Sequence, residues 1–158
     1  MSLSNELKRL CILHNISIAV MESCTGGNIA SEITSVPGSS SYFKGGIVAY
    51  QNEAKINVLG LSEELVSDYS EVSSHSVKEM AVNVLNMFNV DFSIATSGYA
   101  GPEGGTDLNP VGTVFVAVAY KDGVMADRFS FSGNRKSITG QAVQSAFELL
   151  LSEIKKIK

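Results

Sequence analysis

Residues Glu22-Ser23-Cys24-Thr25-Gly26-Gly27 connect a predicted buried strand to a predicted helix. Before them, residues 16–20 read Ile-Ser-Ile-Ala-Val, a β-branched run that is typical of a strand. After them, residues 28–33 carry apolar side chains at helical spacing. Two glycines at such a junction allow the backbone to turn sharply and to approach a ligand closely. The stretch therefore predicts a strand–turn–helix unit.

The turn itself has a functional and a purely structural interpretation. Free N–H groups at the start of the helix, beside the Ser23 and Thr25 hydroxyls, suit an anion such as phosphate. In the structural interpretation Thr25 only caps the helix, and Gly26 and Gly27 only make the turn. Taken alone, these six residues favour the structural interpretation slightly.

Helical and strand patterns alternate along the rest of the chain. The predicted helices are residues 3–14, 28–34, a short one from 52, 62–69, 75–88 and a final one that begins after Ser132 or Asn134; the predicted strands are 16–21, 45–51, 91–96, 111–120 and 124–131. Lys121-Asp122-Gly123 is typical of a hairpin turn, so the last two strands should be antiparallel. This order predicts an α/β fold, a three-layer α/β/α sandwich with a mixed sheet. Without a linker or repeat, residues 1–158 should form a single domain.

Composition excludes several classes of function. The formal net charge is −4, which argues against nucleic acid as a partner because few phosphates could be neutralised. Cys11 and Cys24 are the only cysteines, too few for a disulfide framework or a thiolate metal cluster. The chain has neither a signal-peptide pattern nor an apolar run of membrane-spanning length. We therefore expect a protein of the reduced cytoplasm, without a membrane partner, metal or cofactor.

A second glycine-rich segment follows another predicted strand. Residues 97–105 read Ser-Gly-Tyr-Ala-Gly-Pro-Glu-Gly-Gly, directly after the strand at 91–96. Ligands of open α/β sheets bind beyond the carboxyl ends of strands, so both glycine-rich turns could border one site. Neither matches a known phosphate-binding fingerprint. The pattern predicts only a polar pocket for a small anionic ligand.

The candidates for nucleophile and base are few. His14 and His75 both lie at predicted helix ends, which makes a Ser-His-Asp arrangement improbable. The hydroxyl run at residues 39–41, together with Tyr50 and Lys55, leaves a serine activated by a neutral lysine. At an ordinary pKa only about one lysine in a thousand or fewer is neutral at pH 7, so Lys55 would have to be buried or lie near a cation. The same residues also suit a turn, a half-buried strand and a solvated helix, and the residues alone favour that alternative.

In ordered succession, the motifs of the chain resemble the CinA C-terminal domain family, whose stand-alone members include nicotinamide-nucleotide amidases. The segments that carry the resemblance are Glu22–Gly27, Val36–Gly46, Tyr50–Lys55, Leu59-Gly60, Gly98–Gly105 and Pro110–Val114. It implies a three-layer α/β fold, a homodimer, and hydrolysis of the carboxamide of nicotinamide mononucleotide to nicotinate mononucleotide and ammonia.

The resemblance also implies roles for individual residues. By motif position Ser40 would be the nucleophile, chosen over its neighbours Ser39 and Ser41, with Lys55 as its base and Tyr50 as a hydroxyl that orients groups or relays a proton. The implied substrate-binding residues are Glu22, Ser23, Thr25, Gly26, Gly27, Ser97, Gly98, Gly101, Gly104, Gly105 and Arg135.

The chain departs from the family pattern near its last helix. Four residues after Arg135 the family tends to have a second arginine, and here that position is Thr139. Loss of a guanidinium weakens the binding of phosphate. A non-catalytic nucleotide-binding or dimerisation module therefore stays as an alternative to an amidase. Catalysis by Cys24 is a more remote alternative, because no histidine is placed near it by the sequence.

Overall fold

The computed structural model describes residues 1–157, which form six helices, five strands and one 3₁₀ turn. The helices are α1 (Leu3–His14), α2 (Asn28–Thr34), α3 (Asn52–Asn57), α4 (Glu63–Tyr69), α5 (Ser74–Phe88) and α6 (Arg135–Ile154). The strands are β1 (Ile18–Glu22), β2 (Phe43–Val48), β3 (Phe92–Gly98), β4 (Thr113–Tyr120) and β5 (Gly123–Ser130), and the 3₁₀ turn is Ser39–Ser41.

The five strands form one mixed sheet in the order β2-β1-β3-β4-β5. β1 lies at the centre of a parallel set, with Glu22 opposite Val48 of β2 and Ile18 opposite Phe92 of β3. β4 is antiparallel to both β3 and β5. Consequently β1, β2, β3 and β5 all end at the same side of the sheet, which we call the carboxyl edge; the opposite side is the amino edge.

Helices cover both faces of this sheet. On one face α1, α2 and α6 pack on alternate strand side chains such as Ile18 and Val20. On the other face α5, with α4 beside it, packs on Ala19 and Met21. β4 is buried on both faces over most of its length, as its nearly unbroken apolar run indicates. The predicted three-layer sandwich with a mixed sheet is confirmed, and so is the antiparallel hairpin of the last two strands.

Side-chain caps fix where two of these helices begin. The Asn134 side chain accepts a hydrogen bond from the Ser137 N–H at 2.9 Å, and so selects the start of α6 from the two predicted candidates. Ser62 caps α4 in the same way, through the Leu65 N–H. Among residues 1–157, every helix is too short or too polar to cross a membrane.

Candidate active site

A cavity of about 210 Å³ opens at the carboxyl edge of the sheet. Its wall comes from the segments that follow β1, β2 and β3, from the segment that precedes α5, and from the start of α6. The lining residues are Ser23, Cys24, Tyr50, Asn52, Lys55, Glu71, Val72, Gly98, Tyr99, Ala100, Gly101, Glu103 and Arg135. Five separate chain segments thus supply polar side chains to one site, as expected where parallel strands end.

Ser23 is the first residue after β1, the middle strand of the parallel set, and it is 5% exposed. The turn that follows it is closed by a hydrogen bond from the Gly26 N–H to the Ser23 carbonyl at 3.1 Å. The Thr25 hydroxyl is hydrogen-bonded to Thr96 of β3 at 2.8 Å, which ties the turn to the neighbouring strand. The serine is therefore held rigidly at the top of the sheet, in the strand–turn–helix setting that other folds use to present a nucleophile.

The Glu22 side chain caps the N-terminus of α2. Its two carboxylate oxygens accept the N–H groups of Ile29 and Ala30, at 2.8 and 3.0 Å, and the side chain is fully buried. These are free donors of the helix N-terminus, where a negative charge is favoured. The expected phosphate site at this helix start is therefore wrong, because the protein's own carboxylate occupies it, and Thr25 is not its cap.

Four of the predicted substrate-binding residues consequently serve the turn and not the cavity. Glu22 caps α2, Thr25 binds Thr96, and Gly26 and Gly27 adopt positive φ values of 58° and 102° that the turn requires. None of the four lines the cavity.

Lys55 lies in the last turn of α3 and is 3% exposed, with its side chain in the cavity wall. The salt bridges among residues 1–157 join Lys155 to Glu6 and Lys156 to Glu153, so Lys55 has no carboxylate in direct contact. Burial lowers the pKa of the Lys55 ammonium below its ordinary value, and Glu71 and the Cys24 thiol partly oppose that shift. A buried amine of this kind can be neutral, as a general base must be.

Ser40 lies at the wrong edge of the sheet to use this amine. It sits in the exposed 3₁₀ turn that precedes β2, whereas Lys55 follows the end of β2. β2 has six residues and spans about 20 Å at ~3.3 Å per strand residue, so the segment that holds Ser40 and the segment that holds Lys55 lie at opposite ends of this strand. The predicted pairing of Ser40 with Lys55 is therefore wrong. Ser39 and Ser41 lie in the same turn before β2, so neither of them can replace Ser40 in that pair. The serine that the fold brings to the same cavity as Lys55 is Ser23.

Arg135 spans the mouth of the cavity. Its Nη1 donates to the Gly101 carbonyl at 2.6 Å, and its Nη2 donates to the Tyr50 hydroxyl. Both Arg135 and Tyr50 are largely exposed, and both line the cavity. The guanidinium thus links the segment after β2 to the glycine-rich segment after β3, with its charge at the opening.

The second glycine-rich segment contributes only its first half. Gly98 and Gly101 line the cavity, and the intervening Tyr99 does so as well. Gly104 and Gly105 do not reach it. Ser97 is fully buried, and its hydroxyl donates to the Glu71 carbonyl at 2.8 Å, so it supports the wall from behind.

Sequence reasoning missed Glu71 and Val72 as members of the site. They belong to the short segment between α4 and α5, which carries no motif. Asn52 lies within the Tyr50–Lys55 motif, which by itself gives it no role, and for Cys24 the sequence suggests only remote nucleophilic catalysis. The positive φ of 72° at Ser70, next to Glu71, would have been a signal, but it is visible only in the structure.

Burial raises the pKa of the Cys24 thiol to about 11, although Lys55 acts in the opposite direction. At pH 8 the thiolate fraction is then about two hundredfold lower than in a free cysteine of ordinary pKa. We expect alkylation of Cys24 by iodoacetamide at pH 8 to be at least ~100-fold slower than that of a cysteine in a short unstructured peptide, measured by mass spectrometry. A rate within about tenfold of the free thiol would restore cysteine catalysis as an alternative.

A larger cleft of about 750 Å³ lies at the amino edge, near the ends of α1, α5 and α6. Its polar side chains include His14, Asp91 and Glu153, and it contains no serine or buried lysine. Among residues 1–157, no three His, Cys, Asp or Glu side chains are grouped to hold a metal ion. A buried serine and a buried lysine line the smaller cavity together.

Comparison with known sequences gives one consistent answer. The model of the CinA C-terminal domain family matches residues 1–154. A CinA-like protein of Flavobacterium psychrophilum is 46% identical over 150 residues, which are 95% of this chain and 36% of that protein. A CinA-like protein of Fervidobacterium nodosum is 43% identical over 89% of this chain and 35% of its own length. The chain thus spans about a third of the length of these relatives.

Solved structures agree over nearly the whole chain. The competence damage-inducible protein A of Klebsiella pneumoniae superposes with a TM-score of 0.95 at 34% identity, covering 99% of this chain and 97% of that one. The competence/damage inducible protein CihA of Agrobacterium tumefaciens gives a TM-score of 0.93 at 31% identity, covering 98% and 94%. On these matches and on its own fold, the chain belongs to the CinA C-terminal domain family.

Proposed function

We propose that this chain is an amidohydrolase that converts nicotinamide mononucleotide to nicotinate mononucleotide and ammonia, with Ser23 as nucleophile and Lys55 as base. The observation that carries the proposal is the meeting of these two buried side chains in one cavity at the carboxyl edge. A hydroxyl and a neutral amine are an accepted nucleophile–base pair for acyl transfer.

The reaction needs two acyl-transfer steps. Ser23 Oγ attacks the carboxamide carbon while Lys55 Nζ takes the hydroxyl proton. The tetrahedral adduct then collapses, the C–N bond breaks, and the Lys55 ammonium returns the proton to the departing ammonia. Water, deprotonated by the same amine, attacks the resulting ester and releases the carboxylate and the Ser23 hydroxyl.

The turn after Ser23 supplies donors for the developing oxyanion. The backbone N–H groups of Cys24 and Thr25 form no backbone hydrogen bond among residues 1–157. In comparable strand–turn–helix sites the N–H of the residue after the nucleophile stabilises the oxyanion. We assign the same role to Cys24, which would explain how a residue with an unreactive thiol serves the site through its backbone.

The cavity mouth suits the charged ends of the nucleotide. Arg135 places a guanidinium at the opening, where a phosphate group could replace its contact with Gly101. Since Tyr50 accepts a hydrogen bond from Arg135, its own hydroxyl proton stays available for the substrate or for the departing ammonia.

The direct experiment measures ammonia release from nicotinamide mononucleotide by the purified chain, beside calorimetric titration with the same nucleotide. Turnover supports the amidase. Binding without turnover supports the second candidate, a non-catalytic nucleotide-binding module. One observation favours that candidate: Thr139 donates its hydroxyl to the Arg135 carbonyl at 2.8 Å and offers no charge to a phosphate.

The pH dependence of kcat/KM should follow Lys55. Only its neutral form can accept the Ser23 proton, so kcat/KM rises with pH as the amine deprotonates. Because burial lowers the pKa of Lys55, the midpoint of this rise should lie below 10.5, the ordinary value of a lysine. Stopped assays from pH 6 to 10 give the midpoint. A variant of the exposed Lys44, Lys44→Met, should keep the profile, and a rise centred at or above 10.5 would contradict the role given to Lys55.

A further inference from the structure

Glu71 has no assigned role, yet it lies in the wall of the cavity that holds Lys55 and Ser23. Its side chain is half-buried, and its charge acts on the Lys55 ammonium without forming an ion pair with it. The two groups therefore line one cavity without forming an ion pair. The buried amine in this wall could help to bind an anion. A carboxylate in the same wall adds nothing to the binding of an anion, so Glu71 calls for a different explanation.

The segment around Glu71 is built to hold this carboxylate in place. Ser70 Oγ donates to Glu71 Oε2 at 3.1 Å, and Ser97 Oγ fixes the Glu71 carbonyl at 2.8 Å. The Ser70 carbonyl in turn accepts the hydroxyls of Ser73 and Ser76. Ser70 itself has a φ of 72°, a conformation that is costly for a residue with a side chain. Strain that is maintained by four hydrogen bonds at a cavity wall is characteristic of a functional site.

The charges around the cavity form two groups. Arg135 places its guanidinium at the exposed mouth, where it contacts Gly101 and Tyr50. Lys55 is buried and Glu71 is half-buried in the cavity wall, in contrast to the exposed Arg135, and burial favours the neutral form of Lys55. When Lys55 is neutral, the Glu71 carboxylate is the net charge of the inner wall. The inner part of the cavity is then suited to a cation, and the mouth to an anion.

From this arrangement we propose that Glu71 is a specificity-determining residue, which selects carboxamides carried on a positively charged ring over neutral carboxamides of the same shape. The proposal rests on the proposed amidase function and names the substrate class for the same site. A cationic ring beside Ser23 would be stabilised by the Glu71 carboxylate, and a neutral ring of equal size would gain no such attraction. The carboxylate thus distinguishes two ligands that differ by a charge alone.

Glu103 offers a matched control. It is also a glutamate in the cavity wall, but its side chain is exposed, so water screens its charge. Glu71→Gln removes the inner charge and keeps an oxygen that can accept the Ser70 hydroxyl. Glu103→Gln removes the outer charge by the same chemical change.

The test compares dissociation constants in a Ser23→Ala background, where turnover is too slow to consume the ligand during the titration. One pair of probes is nicotinamide mononucleotide and its reduced 1,4-dihydro form, which lacks the ring charge; a second pair is 1-methylnicotinamide and nicotinamide. We expect the cationic member of each pair to bind more tightly. Glu71→Gln should weaken the binding of the cationic member alone and so reduce that preference about tenfold. Glu103→Gln should reduce the preference less than threefold.

Three results would overturn the role of Glu71. They are the absence of a preference for the cation in the Ser23→Ala protein, a preference that Glu71→Gln leaves unchanged, and an equal weakening of both members of a pair, which indicates a structural role. The proposed amidase function fails separately: the parent protein would release no ammonia, while the preference for binding the cationic ligand would be present and would depend on Glu71.

Discussion

Ser23→Ala lowers kcat for ammonia release from nicotinamide mononucleotide by about a thousandfold or more, whereas Ser40→Ala leaves it within about twofold. The first change removes the hydroxyl that forms the ester with the substrate, and only binding and the oxyanion donors then remain. The second change affects an exposed residue at the amino edge, about a strand length from the cavity. Steady-state ammonia assays on the two variants and the parent give the comparison.

Lys55→Met tests the other member of the proposed Ser23–Lys55 pair, the base. Methionine has a similar length and no amine, so we expect a loss of activity comparable to that of Ser23→Ala. It also removes a buried polar amine whose desolvation opposes folding, so the melting temperature should be unchanged or higher. A loss of activity without a loss of stability separates a catalytic role from a structural one.

These variants also decide between the two serines. If Ser40→Ala were inactive and Ser23→Ala fully active, the pairing at the carboxyl edge would be refuted. If Lys55→Met kept parent-like turnover, no serine in this chain could depend on that amine. Calorimetric titration of each variant with the nucleotide shows whether the substrate site is intact where activity is lost.

The fold followed from the sequence because its signals are local. The apolar stripe of α5, the β-branched run before Ser23 and the Lys121-Asp122-Gly123 turn each specify one element with its neighbours. Short connections and the crossover rules then leave few ways to assemble one sheet. The layers and the antiparallel hairpin were predictable for that reason.

The candidate site was predictable only in part, because it depends on which edge each segment reaches. In a parallel sheet the residue before a strand and the residue after it lie at opposite edges, so a hydroxyl before β2 cannot meet an amine after β2. That argument was available from the predicted strand at 45–51, and it identifies Ser23 and Lys55 as the pair. Glu71 could not be found in this way, since its position depends on contacts of Ser70 and Ser97 that have no sequence pattern.

Glu22→Ala should lower the free energy of unfolding by about 3 kcal/mol. The Glu22 carboxylate is buried and accepts hydrogen bonds from the N–H groups of Ile29 and Ala30. Alanine at this position leaves both donors unpaired and creates a void. An unpaired buried donor costs about 1–3 kcal/mol, and a favourable interaction with the helix dipole is lost as well. Urea titration followed by circular dichroism gives the difference.

Two matched variants show whether the carboxylate itself carries this stabilisation. Glu22→Gln fills the same space but has one acceptor oxygen, and its amide group faces an N–H donor, so it should lose about half as much stability. Glu53→Ala removes an exposed glutamate from the first turn of α3 and should change the stability by less than about 0.5 kcal/mol. If Glu22→Ala stayed within about 1 kcal/mol of the parent, the buried cap would not be what holds the turn. In that case Ser23 would need another source of rigidity than the strand–turn–helix unit in which it lies.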